Sequence, residues 1–252
     1  AGDPLELTLA GGEALVLAPV SGEELARMDL VRLSDGLPQP VTGVQDRFYL
    51  AFPLNDGTYY IQYNSCREDP ELPMETFAAQ VEQDLSAGQY RRVVVDLRNN
   101  GGGVVTASTD IADYLLPNGK TIVSFKGKGV DDSVKITEDG HQVDVPIILL
   151  VNGESASASE VLTGALKDNG WATVVGTKTF GKGIAQGIFD LPDGSALKLT
   201  TAYYYVPSGE CIHEVGIEPD LLVELDEGLE SMIEIPRDQD NQLKAAMDVA
   251  VN

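Results

Sequence analysis

Arg92-Val93-Val94-Val95-Asp96-Leu97-Arg98-Asn99-Asn100-Gly101-Gly102-Gly103 is the stretch that decides the fold. Residues 92–97 make a nearly continuous apolar run of strand length. Such a run lacks the alternation of a half-exposed strand and belongs to a strand covered on both faces, as in a parallel sheet. Three glycines follow at once, then a helical stretch to Leu116 that Pro117 stops. Working outward, Ile147–Val151 repeats the pattern and feeds a helix over Ser155–Asn169, closed by Gly170. Thr173–Val175 reads as the next strand. On the other side, Tyr59–Tyr63 is a strand and Met74–Leu85 a helix with Phe77, Val81 and Leu85 on one face. Gly187–Leu191 and Leu197–Tyr205 are strands around the turn Pro192-Asp193-Gly194, and Gln242–Val251 is a terminal helix. Strands alternating with helices predict an α/β fold with a largely parallel sheet.

The first 54 residues read differently. Leu5, Leu7 and Leu9 alternate with Glu6 and Thr8, Gly11-Gly12 makes a turn, and Ala14–Leu17 and Leu30–Leu33 are further short strands. The spacing predicts a small β-rich N-terminal subdomain over 1–54 and an α/β domain over 55–252.

Composition narrows the function. The 252 residues are 43% hydrophobic and 23% charged, so a sizeable core is expected. Forty acidic against 17 basic residues give a net charge of −23, with no basic block. That surface repels phosphate backbones and anionic lipid heads, which excludes nucleic acid and membrane surfaces as expected partners. The longest purely apolar run, Ile147–Val151, is far short of the ~20 residues a bilayer span needs. Ala1–Ala10 has no basic start and no long apolar stretch, so no signal peptide is read there. Two cysteines, Cys66 and Cys211, are too few for a disulfide framework, and His141 and His213 sit in no ligand motif; neither metal nor cofactor is expected.

Three segments have chemical potential. Gly101-Gly102-Gly103 presents bare backbone N–H groups past a buried strand; it reads either as an anion-binding nest or as a flexible strand-to-helix turn. Ser155-Ala156-Ser157-Ala158-Ser159-Glu160 opens a helix whose apolar face is Ala158, Val161, Leu162, Ala165 and Leu166. Free N–H groups and the dipole there favour negative charge, which suits a nucleophile. The plainer reading is a capping box formed by Ser157 and Glu160. Thr179-Phe180-Gly181-Lys182-Gly183 sets a lysine between glycines: a solvated loop lysine, or a general base if burial lowers its pKa from ~10.4. Taken together, the serine supplies a nucleophile, the lysine a base and the glycine N–H groups an oxyanion cradle. His213, among Cys211, Ile212 and Glu214, is the rival base.

These segments, in this order, resemble the C-terminal processing (tail-specific) serine proteases. The runs Gly194–Ala202 and Gly216-Ile217-Glu218-Pro219-Asp220 are also similar, so the resemblance spans about Tyr59 to Leu225. It implies a ClpP/crotonase-like core in 55–252, no cofactor, and a Ser-Lys catalytic dyad. The nucleophile would be Ser157, the base Lys182, and Gln186 the residue that orients the lysine. The implied oxyanion donors are the N–H of Ala158 and a glycine N–H, from Gly102 or Gly103. The implied substrate is a protein or peptide, and the implied location is extracytoplasmic.

The sequence departs from the family in one respect. Typical members carry a PDZ domain ahead of the protease core, and the first ~50 residues here are too short for a complete one. They read as a PDZ remnant or as a capping subdomain, within a native chain expected to begin further upstream. Two other activities fit the scaffold: a non-catalytic ligand- or peptide-binding module, and an acyl-CoA enzyme. Intact Ser157, Lys182 and Gln186 count against the first. The −23 charge counts against the second, because CoA phosphates call for basic residues. Oligomeric state is not written in the sequence.

Overall fold

The computed structural model describes residues 49–54, 56–67, 74–88, 90–127, 130–138, 140–192, 195–229 and 235–249, with the short strands at 5–8, 14–17, 32–34, 37–39 and 44–45. The chain divides into two compact units, Ala1–Thr42 and Gly43–Asn252. In the first, β1 (Leu5–Thr8) pairs antiparallel with β2 (Ala14–Leu17), Leu5 opposite Leu17. A second pair joins β3 (Arg32–Ser34) to β4 (Leu37–Gln39). The turn at Gly11-Gly12 lies outside the described residues.

The second unit runs β5 (Val44–Gln45), β6 (Tyr49–Pro53), β7 (Thr58–Tyr63), α1 (Met74–Ala87), β8 (Arg92–Asp96) and α2 (Val105–Leu115). It continues through β9 (Thr121–Gly127), β10 (Val130–Ile136), β11 (Ile147–Val151), α3 (Ala158–Asp168) and β12 (Ala172–Gly176). It ends with β13 (Ile184–Asp190), β14 (Ala196–Tyr205), β15 (Leu221–Leu222) and α4 (Asn241–Asp248). Seven strands form the main sheet in the order β15-β12-β11-β8-β7-β6-β5. Neighbours from β15 to β7 are parallel, and β6 and β5 close one edge antiparallel. A second, antiparallel sheet has the order β10-β9-β14-β13.

The parallel strands are buried on both faces: every residue of β8 and β11 is buried. Ile147 faces Val93 across the ladder and Leu149 faces Val95. This is the physical origin of their unbroken apolar runs. Val161, Leu162, Ala165 and Leu166 of α3 are fully buried in the same core as Val95, Leu149 and Val151. Each such valine or leucine contributes about 1.5–3 kcal/mol, which anchors the start of α3 firmly.

Three sequence expectations shift. β5 and β6 pair into the main sheet, so the compact units part at 42/43 rather than at 54/55. Ser155–Ser157 stay outside the helix expected from Ser155: the Ser155 hydroxyl and the Ala156 N–H donate to Leu97 O and Asn100 O, and Ser157 is the N-cap. The strands β9 and β10 escape the sequence, since β10 (Val130-Asp131-Asp132-Ser133-Val134-Lys135-Ile136) carries no buried alternation to read.

Candidate active site

The C-terminal ends of β8 and β11 and the loop after β12 converge at the first turn of α3. The glycine loop leaves β8 at Asp96, which is 5% exposed and accepts the Tyr60 hydroxyl at 2.7 Å. Arg98 forks between Asp96 and Asp240, at 2.6 and 2.7 Å, the second carboxylate standing just ahead of α4. Burial alone would lower the Arg98 pKa; the two carboxylates lift it above arginine's ordinary value.

Asn100 is fully buried and organises the loop. Its Nδ2 donates to Tyr63 O at 2.7 Å, and its Oδ1 accepts the Gly102 N–H at 2.9 Å. Its carbonyl accepts Ala156 N–H at 3.0 Å and the Ser159 hydroxyl at 2.9 Å. Gly102 has φ +88 and stands directly against the serine loop; a Cβ on it would lie 2.5 Å from Ala156 O. A Cβ on Gly103 would lie 2.1 Å from Cys66 O. These glycines are therefore fixed by close backbone approach, not chosen for flexibility. Neither Gly103 N–H nor Ala158 N–H has an acceptor among the described residues.

The three serines of the second segment separate sharply. Ser155 and Ser159 are fully buried, and their hydroxyls donate to Leu97 O at 2.8 Å and Asn100 O at 2.9 Å. They lace the serine loop to the glycine loop. Ser157 is 8% exposed and has φ 58, ψ −114. That pair of angles is outside the left-handed well that non-glycine residues sometimes occupy, and such strain collects at functional sites. Ser157 is also the N-cap of α3, and the expected capping box forms: the Glu160 carboxylate accepts the Ser157 N–H at 2.8 Å.

Glu160, fully buried, does more than cap. Its Oε1 accepts the Thr179 hydroxyl and the Gly181 N–H, both at 2.7 Å. Its Oε2 accepts the Lys182 N–H at 2.8 Å beside that of Ser157. On its far side the lysine loop rests on Gly216-Ile217: Thr179 N–H donates to Ile217 O at 3.1 Å, and Ile217 N–H to the Thr179 hydroxyl at 2.7 Å. The similar run at Gly216–Asp220 thus has a local physical role.

Lys182 is half-buried, and its Nζ makes no hydrogen bond or ion pair among the described residues. The two backbones are joined through Glu160, while the Ser157 and Lys182 side chains are not bonded to each other. Gln186 lies exposed on β13 opposite Thr200, with no bond to Lys182. Tyr204, 3% exposed on β14, reaches the Ser157 side chain; burial raises its phenol pKa and the hydrogen bond with Ser157 offsets part of that rise. His213 packs its ring against Tyr203, on the neighbouring position of β14, with centroids 5.3 Å apart. Among the described residues no group of acidic, histidine or cysteine side chains is arranged to hold a metal. No helix described is long and apolar enough to cross a membrane.

Sequence reading missed Asn100 and Tyr204 and saw Glu160 as a cap alone. Its only signal for Glu160 was the Ser-x-x-Glu spacing, which cannot report that the lysine loop returns to the same carboxylate.

The parallel α/β core, with a strained serine, a glycine loop and a lysine loop at the mouth of one helix, has the ClpP/crotonase-like fold. Residues 57–223 match the model of Peptidase family S41, and the chain belongs to that family. The carboxyl-terminal-processing protease of Synechocystis sp. is 44% identical over 157 residues, covering 62% of this chain and 36% of the relative. The carboxy-terminal-processing protease of Bartonella bacilliformis is 42% identical over 146 residues, covering 57% and 33%. The chain thus spans about a third of the length of these relatives. Among solved structures, a photosystem II D1 C-terminal processing protease is 30% identical with a TM-score of 0.58, over 69% of this chain and 45% of that one. A lipoprotein from Streptococcus agalactiae, 21% identical with a TM-score of 0.58 over 70% of this chain and 65% of that one, shares the fold.

Proposed function

We propose that the chain carries the catalytic part of a serine endopeptidase that hydrolyses protein or peptide substrates through a Ser157–Lys182 dyad. The observation that carries this reading is the strained backbone of Ser157 at the start of α3, beside two serines whose hydroxyls are already committed. Lys182, as the free amine, takes the Ser157 hydroxyl proton while Oγ bonds to the substrate carbonyl carbon. The oxyanion that forms is held by the Ala158 N–H and a glycine N–H. Gly102 is the nearer glycine, but its N–H is bonded to Asn100; the Gly103 N–H has no acceptor among the described residues. The C–N bond then breaks, Lys182 returns its proton to the leaving amine, and water cleaves the acyl-enzyme ester. Gln186 orients the lysine once its side chain turns in. Glu160 already ties the two backbones together.

The names of the relatives support C-terminal processing as the specificity, and two of those relatives are chloroplastic; an extracytoplasmic place of work belongs to the same reading. One observation favours a second reading, a peptide-binding module without hydrolysis: the Lys182 amine has no bond to Ser157. Incubation with a fluorophosphonate and with casein separates the two. Labelling at Ser157 with new fragments, both lost in Ser157→Ala and Lys182→Ala, is expected of the protease. Folded wild-type protein that neither labels nor cleaves favours the binder.

A further inference from the structure

The lysine loop, residues 177–183, contains no helix or strand of its own. Its position is set by what it bonds to, and its central partner is Glu160. Four donors converge on that carboxylate from two separate segments: Ser157 N–H from the serine loop, and the Thr179 hydroxyl, Gly181 N–H and Lys182 N–H from the lysine loop. An ionised carboxylate offers about four acceptor sites and no donor, which matches this set one for one. A glutamine amide of the same shape would turn two N–H groups toward two of these donors.

We infer that Glu160 is a positioning residue for the dyad: its carboxylate sets the distance and orientation between Ser157 and Lys182 by holding both main chains. This rests on the peptidase reading above. Glu160 touches neither substrate nor the reacting atoms; it acts through the two amides at its Oε2. The coupling is stiff, because the carboxylate is fully buried and α3 beneath it is anchored in the core. A helix cap alone needs only the Ser157 bond. The three bonds to the lysine loop serve no capping purpose, and they are the observation that takes the inference beyond the capping box.

The test is kinetic, on the intact protein with fluorescently labelled casein and a fluorophosphonate. Glu160→Gln is expected to lower kcat on the order of 100-fold, the scale of an ~1 Å misplacement, while KM stays within about threefold of wild type. Fluorophosphonate labelling of Ser157 should slow in proportion. Thr179→Val, which keeps the carboxylate and removes one of its donors, is expected to lower kcat by roughly tenfold with KM again unmoved. It decides the question if Glu160→Gln fails to fold. A folded variant with wild-type kcat, or one in which the loss falls on KM, overturns the inference. Wild-type protein and Ser157→Ala are run alongside: an inert wild type sinks the peptidase reading itself, whereas an active wild type with an equally active Glu160→Gln sinks only the role of Glu160.

Discussion

Gly102 stands so close to Ser157 that a Cβ added to the glycine would lie 2.9 Å from the Cβ of the serine and 2.9 Å from the Ala158 nitrogen. The two residues arrive from different strands, yet neither has room to move toward the other. Gly102→Ala must both clash with main chain and adopt φ +88, a left-handed value that costs an L side chain about 1–2 kcal/mol. The variant is expected to lose fluorophosphonate labelling by about 100-fold or more, with a fall in thermal midpoint of several degrees. Labelling at the wild-type rate would show that the loop yields freely at this point.

The serines should divide by function. Ser155→Ala and Ser159→Ala each remove a hydrogen bond to a buried carbonyl, at a cost of about 1–3 kcal/mol in stability. Both proteins should still label at Ser157. Ser157→Ala should stay folded and lose all labelling. Mass spectrometry of the labelled peptide, with thermal melts, checks all three.

The lysine mechanism fixes the sign of the pH dependence. A protonated Lys182 cannot accept the Ser157 proton, so casein hydrolysis must fall toward acid. Hydrolysis that does not fall at all toward acid would assign the base to another group.

Asp240 tests the outer support of the glycine loop. Asp240→Ala removes one arm of the Arg98 fork, whose partners are 10% and 5% exposed, together with the α4 cap to Leu243 N–H, and leaves the guanidinium with Asp96 and the Gln242 Oε1. A loss of about 2 kcal/mol is expected in urea unfolding, in line with other charged hydrogen bonds. Stability unchanged from wild type would mean that the Asp240 arm is compensated.

The thiols and phenols set the alkaline limit. Cys66 is buried and Cys211 half-buried, and neither is in a disulfide. Burial raises the Cys66 pKa, and it raises Tyr59, Tyr60 and Tyr63 as well. Groups raised in the folded state favour folding while they are neutral in both states. That contribution is lost as pH climbs past the unfolded values, about 8.5 for cysteine and 10 for tyrosine. The thermal midpoint should hold to about pH 8.5 and fall above it. One thiol should react with Ellman's reagent in the native protein, and two after denaturation.

The central strands, the helices at Met74, Val105 and Ala158, and the three chemical segments in their order are legible in the sequence, because apolar periodicity, glycines and helix stops are local signals. β10 is not, because an edge strand with few buried positions leaves no pattern; β9 is not, because its buried Ile122 and Val123 are adjacent and break the alternation; and no local signal reports that β5 and β6 pair into the main sheet. Within Ser155-Ala156-Ser157-Ala158-Ser159 the spacing treats three hydroxyls alike, and only resemblance singles one out. The tertiary structure separates them physically: Leu97 O and Asn100 O, brought in from another strand, claim the outer two, and Ser157 keeps its strained backbone. Glu160 is the same lesson at longer reach. Its cap to Ser157 spans three residues and can be read from the chain; its hold on Lys182 spans 22 and exists only because the sheet folds the two loops together.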